Sequence, residues 1–180
     1  MKRILLLGAG RSASVLISKL VQNAERKNWQ VDVVDVNIEQ TKQKIGQSNY
    51  VRAIEATESN FTLIENYEIV ISMLPPDKHY EVAKACVHFG KHLLTASYNT
   101  SEIQSLHHEA KRKNILLLME CGLDPGLDHI SAMQIIDNIH AEGGVITRFK
   151  SYCGGLMSNK SDKGNPWKYK ITWNPKNIVL

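Results

Sequence analysis

Short, continuously apolar runs recur along the chain, each followed by a segment whose apolar residues repeat with helical period, and the alternation persists to about Ile139. The runs are Ile4 to Leu7, Val31 to Val34, a weaker one at Val51 to Ala56, Ile69 to Leu74, His92 to Thr95 and Ile115 to Met119. Between them the spacing predicts helices over about Ser12 to Lys27, Ile38 to Gly46, Lys78 to Phe89 and Ser101 to Asn114. A strand that is apolar on both sides must be covered on both sides, which requires a parallel sheet wrapped by helices. Local punctuation agrees: Gly90 stands where the helix ending at Phe89 should stop, and Asn99-Thr100-Ser101 offers caps for the next one. The fold expected is a doubly wound α/β sheet.

A last helix is predicted over about Pro125 to Glu142, stopped by Gly143-Gly144. From Thr147 the texture changes, because "TRFKSYC" and "WKYKITW" alternate apolar and polar residues as half-exposed antiparallel strands do. Residues 1–124 are therefore expected to form one domain and 125–180 the beginning of an α+β second domain, left incomplete where the chain stops on "NIVL".

Composition narrows the function classes. With 22 Lys and Arg against 18 Asp and Glu, the net charge of +4 is mild and spread along the chain, without the clustered basic patch of a nucleic-acid binder. No apolar run reaches the length of a membrane span, and the four-residue run before Gly8 is too short for a signal peptide. The three cysteines, Cys86, Cys121 and Cys153, are odd in number and lack a CxxC, so neither a disulfide framework nor a zinc site is expected and a reducing cytoplasm fits best. The histidines, His129 and the His107-His108 pair among them, lack metal-ligand spacing and read as surface or packing residues.

The motif with the clearest physical meaning is "LLLGAGRSA". Gly8, Gly10 and Ala13 carry the G-x-G-x-x-G/A spacing between a strand and a helix: Gly8 for the tight turn, Gly10 for close approach of a pyrophosphate, Ala13 for helix-strand packing, with Arg11 and Ser12 opening the helix. The helix N-terminus supplies amide donors to the phosphates. This makes the sheet Rossmann-type. Asp35, at the end of "VDVVD", stands where a carboxylate accepts hydrogen bonds from the adenosine ribose, which leans toward NAD over NADP; alternatively it makes a turn with Asn37, and Arg11 could serve a 2′-phosphate. "SMLPP", with Ser72, Leu74 and Pro75, ends the fourth strand where a loop would pass the nicotinamide ribose, or it merely separates strand from helix. "TASY" and "MECGLD" end the next two strands, so Tyr98, Glu120, Asp124 and Asp128 can converge on the same crevice as acid/base groups. Asp124 before Pro125 also reads as an N-cap with Pro at the first helical position. Cys153 is a candidate site residue because Gly154-Gly155 allows close approach, or else an inert buried thiol.

"GAGRSA", "SMLPP", "KHLLTASY", "GLDPGLDH", "SYCGGL" and "NPWKYKITWNP" follow one another in an order that resembles the saccharopine dehydrogenase family, in particular its L-glutamate-forming saccharopine reductase branch. The resemblance implies a Rossmann domain carrying an inserted substrate domain. It also implies nicotinamide-dependent interconversion of saccharopine with 2-aminoadipate semialdehyde and glutamate through an imine, in lysine metabolism. By the same resemblance Tyr98, Glu120, Asp124 and Cys153 match pocket positions, and the chain is an N-terminal part, inactive alone. The branch is usually described with NADP, against the lean of Asp35. The partner implied is a small amino-acid substrate, with a homodimer admissible. A non-catalytic nucleotide-binding module, or a related imine-reducing enzyme of polyamine or lysine metabolism, is the alternative. One departure is Met157-Ser158-Asn159-Lys160, where the family has a Pro-rich acidic turn.

Overall fold

The structure, a computed structural model, describes residues 1–57 and 60–152 together with Ser161, Gly164, Pro166 and Trp167. Chain contacts divide it into two units, Met1–Ile135 and Ile136–Leu180. The first unit holds a parallel sheet of six strands: β1 (Lys2–Leu7), β2 (Trp29–Asp35), β3 (Val51–Glu55), β4 (Ile69–Ser72), β5 (His92–Thr95) and β6 (Leu117–Leu118). Their spatial order is β3-β2-β1-β4-β5-β6, so the winding reverses between β1 and β4. Reversal at that point opens a crevice beyond the carboxyl ends of the strands.

The apolar runs are buried as their pattern demands. Along β1, Ile4 and Leu6 enter one core cluster while Leu5 and Leu7 enter the other, so both faces are covered. The first face is packed by α1 (Ser14–Lys27) and α2 (Ile38–Ile45), through residues such as Ile17, Leu20 and Ile45. The second is packed by α3 (His79–Phe89), whose Val82, Ala83 and Cys86 are fully buried, and by Ile103 of α4 (Ser101–Ser105). Each fully buried Leu or Ile contributes about 2 kcal/mol of apolar transfer energy. Gly90 adopts the left-handed conformation and closes α3, and the Thr100 side chain accepts from the Ile103 amide at the start of α4.

Three elements depart from the sequence expectation. The helix expected over Ser101 to Asn114 is two pieces, α4 and α5 (His107–Arg112), because the Leu106 amide donates a hydrogen bond to the Ile103 carbonyl, one residue tighter than in an α-helix. Ile115 to Met119 keeps only two paired residues, since β6 has a single neighbour, β5. Thr147 to Tyr152 forms no strand, and Phe149 and Tyr152 are exposed; an alternating pattern needs a partner strand, and none pairs with it among the described residues. The second alternating stretch lies outside the described residues apart from Trp167. α6 (Leu127–Ala141) closes the series.

Candidate functional site

The Gly-rich loop follows β1. Gly8 has φ +96, its amide donates to the Val34 carbonyl at 2.8 Å, and a Cβ there would lie 2.8 Å from the Met73 carbonyl oxygen. The left-handed backbone and the close pass of the loop after β4 both exclude a side chain. At Gly10 a Cβ would meet nothing within 4 Å, so this stretch of backbone faces open space. Arg11–Ala13 form a 3-10 turn leading into α1, with no side-chain cap and no acidic residue in the first turn. The Ala13 amide donates to the Gly10 carbonyl at 3.2 Å, which leaves the Arg11 and Ser12 amides as the donors for an anion, while Ala13, 1% exposed, packs into the core as the fingerprint requires. These features fit the diphosphate of a dinucleotide.

Asp35 departs from its expected role. Its Oδ2 accepts from the Ala9 amide at 2.6 Å and its Oδ1 from the Asn37 amide at 2.9 Å. The carboxylate therefore braces the Gly-rich loop and makes the Asx turn that precedes α2, whose cap is the Asn37 side chain. Lys44 reaches from α2 to the carbonyls of Ala9 and Gly10. With Asp35 turned to backbone donors, and Lys44 and the exposed Arg11 beside the loop, the argument for NAD over NADP loses its premise.

On the other half of the sheet three strand ends are knit together. Ser72, fully buried, ends β4, and the next amide, Met73, donates to Leu7 O at 2.8 Å. Leu74 and Pro75 lead over a 3-10 turn at Pro76–Lys78 into α3. After β5, the Ser97 carbonyl accepts from the Glu120 amide and the Thr95 carbonyl from the Cys121 amide, both at 3.0 Å. Glu120 has φ +61, and its Oε1 accepts from the Asn99 amide at 3.1 Å. Glu120 thus anchors the Tyr98 loop in addition to contributing charge.

The "GLDPGLDH" corner is a tight turn. Gly122 donates to Pro125 O at 2.9 Å, Leu127 to Gly122 O at 3.0 Å, and the Asp124-Pro125 peptide is cis. Gly126 has φ +145, and a Cβ there would lie 2.2 Å from Gly122 O. That conformation is not helical, so α6 begins at Leu127; Pro125 is not its first residue and Asp124, three residues ahead of the helix, does not cap it. Asp128 Oδ1 accepts from the Gly126 amide at 3.1 Å and pairs with His129 Nδ1 at 2.7 Å.

The structure does bring Tyr98 and the carboxylates together. Partial burial, then the charges of Asp124, Asp128 and Glu120, push the Tyr98 phenol above its ordinary value. Burial pushes Asp128 up, but the His129 and Gly126 hydrogen bonds outweigh it and hold the carboxyl below its usual range. Asp124, Asp128 and His129 offer ligand atoms within 4.8 Å of one another. A neutral phenol can donate to a polar substrate, and the carboxylates beside it can accept a proton from one. Cys153 lies outside the described residues. Cys86 is buried, which pushes its thiol up to about 12 and makes it inert, whereas Cys121 is exposed.

One residue of the site escaped sequence reasoning. His79 is 2% exposed at the start of α3, with Nδ1 3.0 Å from Ser72 Oγ and Nε2 2.7 Å from Ser97 Oγ. Burial holds its pKa below the ordinary value in spite of Asp77 and the Leu74 carbonyl. The available signal was a histidine opening the helix directly after a strand-end Pro-Pro loop.

Two family models cover the chain: the saccharopine dehydrogenase NADP binding domain matches residues 4–118, and the saccharopine dehydrogenase C-terminal domain residues 122–180. The chain is 35% identical to alpha-aminoadipic semialdehyde synthase of Arabidopsis thaliana over 98% of its own length and 18% of that protein's. It is 32% identical to a saccharopine dehydrogenase [NADP(+), L-glutamate-forming] of Schizosaccharomyces pombe, matching 100% of this chain and 40% of the relative. The apo saccharopine dehydrogenase (L-Glu forming) of Saccharomyces cerevisiae superposes with a TM-score of 0.82 at 30% identity, covering 100% of this chain and 40% of that one. The chain therefore spans well under half the length of these relatives.

Proposed function

The chain belongs to the saccharopine dehydrogenase family, and from that premise we propose that it carries the dinucleotide site and the acid/base corner of an NADP-dependent saccharopine dehydrogenase of lysine metabolism. The reaction takes saccharopine, NADP⁺ and water to 2-aminoadipate semialdehyde, glutamate, NADPH and a proton. The observation that carries this reading is the convergence of Tyr98, Asp124 and Asp128 on the same end of the sheet as the open Gly10 backbone. The names of the relatives and of the first family model support NADP as the cofactor.

Gly8, Gly10 and Ala13, with the amides of Arg11 and Ser12, would hold the diphosphate, and Ser72, Leu74 and Pro75 the nicotinamide ribose. Arg11 and Lys44 are the cations at hand for a 2′-phosphate. When bound, the nicotinamide supplies the hydride acceptor or donor. Tyr98 Oη donates to the substrate, and the Asp124 carboxylate, whose charge acts on that phenol, takes up or returns the proton as the amine nitrogen changes charge. Cys153 belongs to the proposed pocket by resemblance alone. We place the division between nucleotide and substrate parts after Asp124, a division that the family-model limits at 118 and 122 support.

The test is direct. Titration calorimetry should find NADPH bound more tightly than NADH, with the difference lost in Arg11→Ala/Lys44→Ala. In the polypeptide that carries these residues, Asp124→Asn should slow saccharopine-dependent reduction of NADP⁺ by about 10²-fold. Tighter binding of NADH, or undiminished turnover of the Asn variant, would refute the respective part.

A further inference from the structure

We infer that His79 is a positioning residue: by clamping the loop after β4 to the loop after β5 it sets where the nicotinamide half of a bound dinucleotide lies relative to Tyr98. This deepens the dinucleotide reading proposed above and rests on it. The ring is 2% exposed and both of its nitrogens are engaged, Nδ1 with Ser72 Oγ at 3.0 Å and Nε2 with Ser97 Oγ at 2.7 Å. With both nitrogens engaged inside the protein, neither is offered to a substrate. The Leu74 carbonyl also meets the ring, so the imidazole holds the loop after β4 through Ser72 Oγ and Leu74 and the loop after β5 through Ser97 Oγ.

What it joins follows from the backbone. On one side, the loop after Ser72 is tied to the Gly-rich turn, through Met73 N to Leu7 O at 2.8 Å and through the Met73 carbonyl pressed against Gly8. On the other, Ser97 O accepts from Glu120 N at 3.0 Å, and Glu120 Oε1 accepts from Asn99 N at 3.1 Å, so Tyr98 lies between two fixed residues. His79 links these halves through its side chain. In a sheet ordered β3-β2-β1-β4-β5-β6, the ends of β4 to β6 serve the second nucleotide, the one bearing the nicotinamide, and the ends of β1 to β3 serve the adenosine. Loss of the bridge should thus be felt at one end of the cofactor only.

The experiment compares two ligands on the whole chain by titration calorimetry: NADPH, and 2′-phospho-ADP-ribose, which lacks the nicotinamide. For His79→Leu, which keeps the volume and removes both hydrogen bonds, NADPH affinity should fall about tenfold while that of 2′-phospho-ADP-ribose stays within about twofold of the wild type. Ser97→Ala removes one hydroxyl from a half-buried site and should show the same selective loss to a smaller degree, which covers the case of a His79→Leu chain that does not fold. Equal affinities of the variants and wild type for NADPH would overturn the inference. Equal losses for both ligands would overturn it too, since His79 would then act only on the fold. Failure of the wild type to bind either ligand would instead remove the dinucleotide reading itself, and this inference with it.

Discussion

Gly8 and Gly10 stand two residues apart and are glycines for different reasons. Gly8 is held at φ +96 under the Met73 carbonyl, whereas Gly10 has ordinary backbone angles and an open side. Gly8→Ala should therefore lower stability, by about 2 kcal/mol or more from strain and contact together, seen as a lower midpoint in urea. Gly10→Val should leave that midpoint within about 0.5 kcal/mol and abolish NADPH binding, because the methyls would fill the space proposed for the diphosphate. Asp35 invites a different test. As its carboxylate accepts from the Ala9 and Asn37 amides, Asp35→Ala should weaken NADPH and NADH alike and cost about 1–2 kcal/mol of stability. A switch of preference between the two nucleotides in a competition titration would restore the ribose role.

Among the strands, β2 carries an unusual load, since Asp32 is completely buried in its middle. Arg52 of β3 grips both carboxylate oxygens, at 2.8 and 2.7 Å, and the Tyr67 hydroxyl donates at 2.6 Å. Burial raises the Asp32 pKa, but these partners outweigh it and hold the group below its ordinary 3.8; burial first, and then the contact with Asp32, raise Tyr67 to about 12. A carboxyl lowered in the folded state stabilises above its unfolded value and loses that contribution as pH falls through the folded one. Asp32→Asn should cost about 2 kcal/mol at neutral pH, and the difference from wild type should shrink below pH 3.8. Parallel urea denaturation at neutral and acidic pH measures this. Arg52 is largely exposed, so solvent screens its charge, but its two hydrogen bonds to Asp32 remain the larger of the lowering contacts, and an Asn carbonyl at this position can still accept from Tyr67.

Over the whole chain, a ligand that binds only the folded form must stabilise it. NADPH at 100 times its Kd should add about 2.7 kcal/mol and raise the thermal midpoint of the wild type but not of Gly10→Val. Much of the architecture that makes this possible was written in the sequence. Six apolar runs spaced by helical segments specify a sheet covered on both faces, because strand periodicity and burial are local consequences of residue order, and the glycine spacing after the first run locates the tight turn between β1 and α1 for the same reason. Tyr98, Glu120 and Asp124 follow strand ends on one edge of the sheet, and the carboxylates act on the Tyr98 phenol for that reason. What a carboxylate or an imidazole bonds to is another matter. Asp35 turns to backbone amides, Asp124 leaves the helix start to residues past Gly126, and His79 spans Ser72 and Ser97, eighteen residues apart from the latter in the chain. Those pairings depend on which loops the parallel sheet sets side by side and on the direction each backbone turn gives its side chains. Neither is encoded in local spacing, so only the tertiary structure decided them.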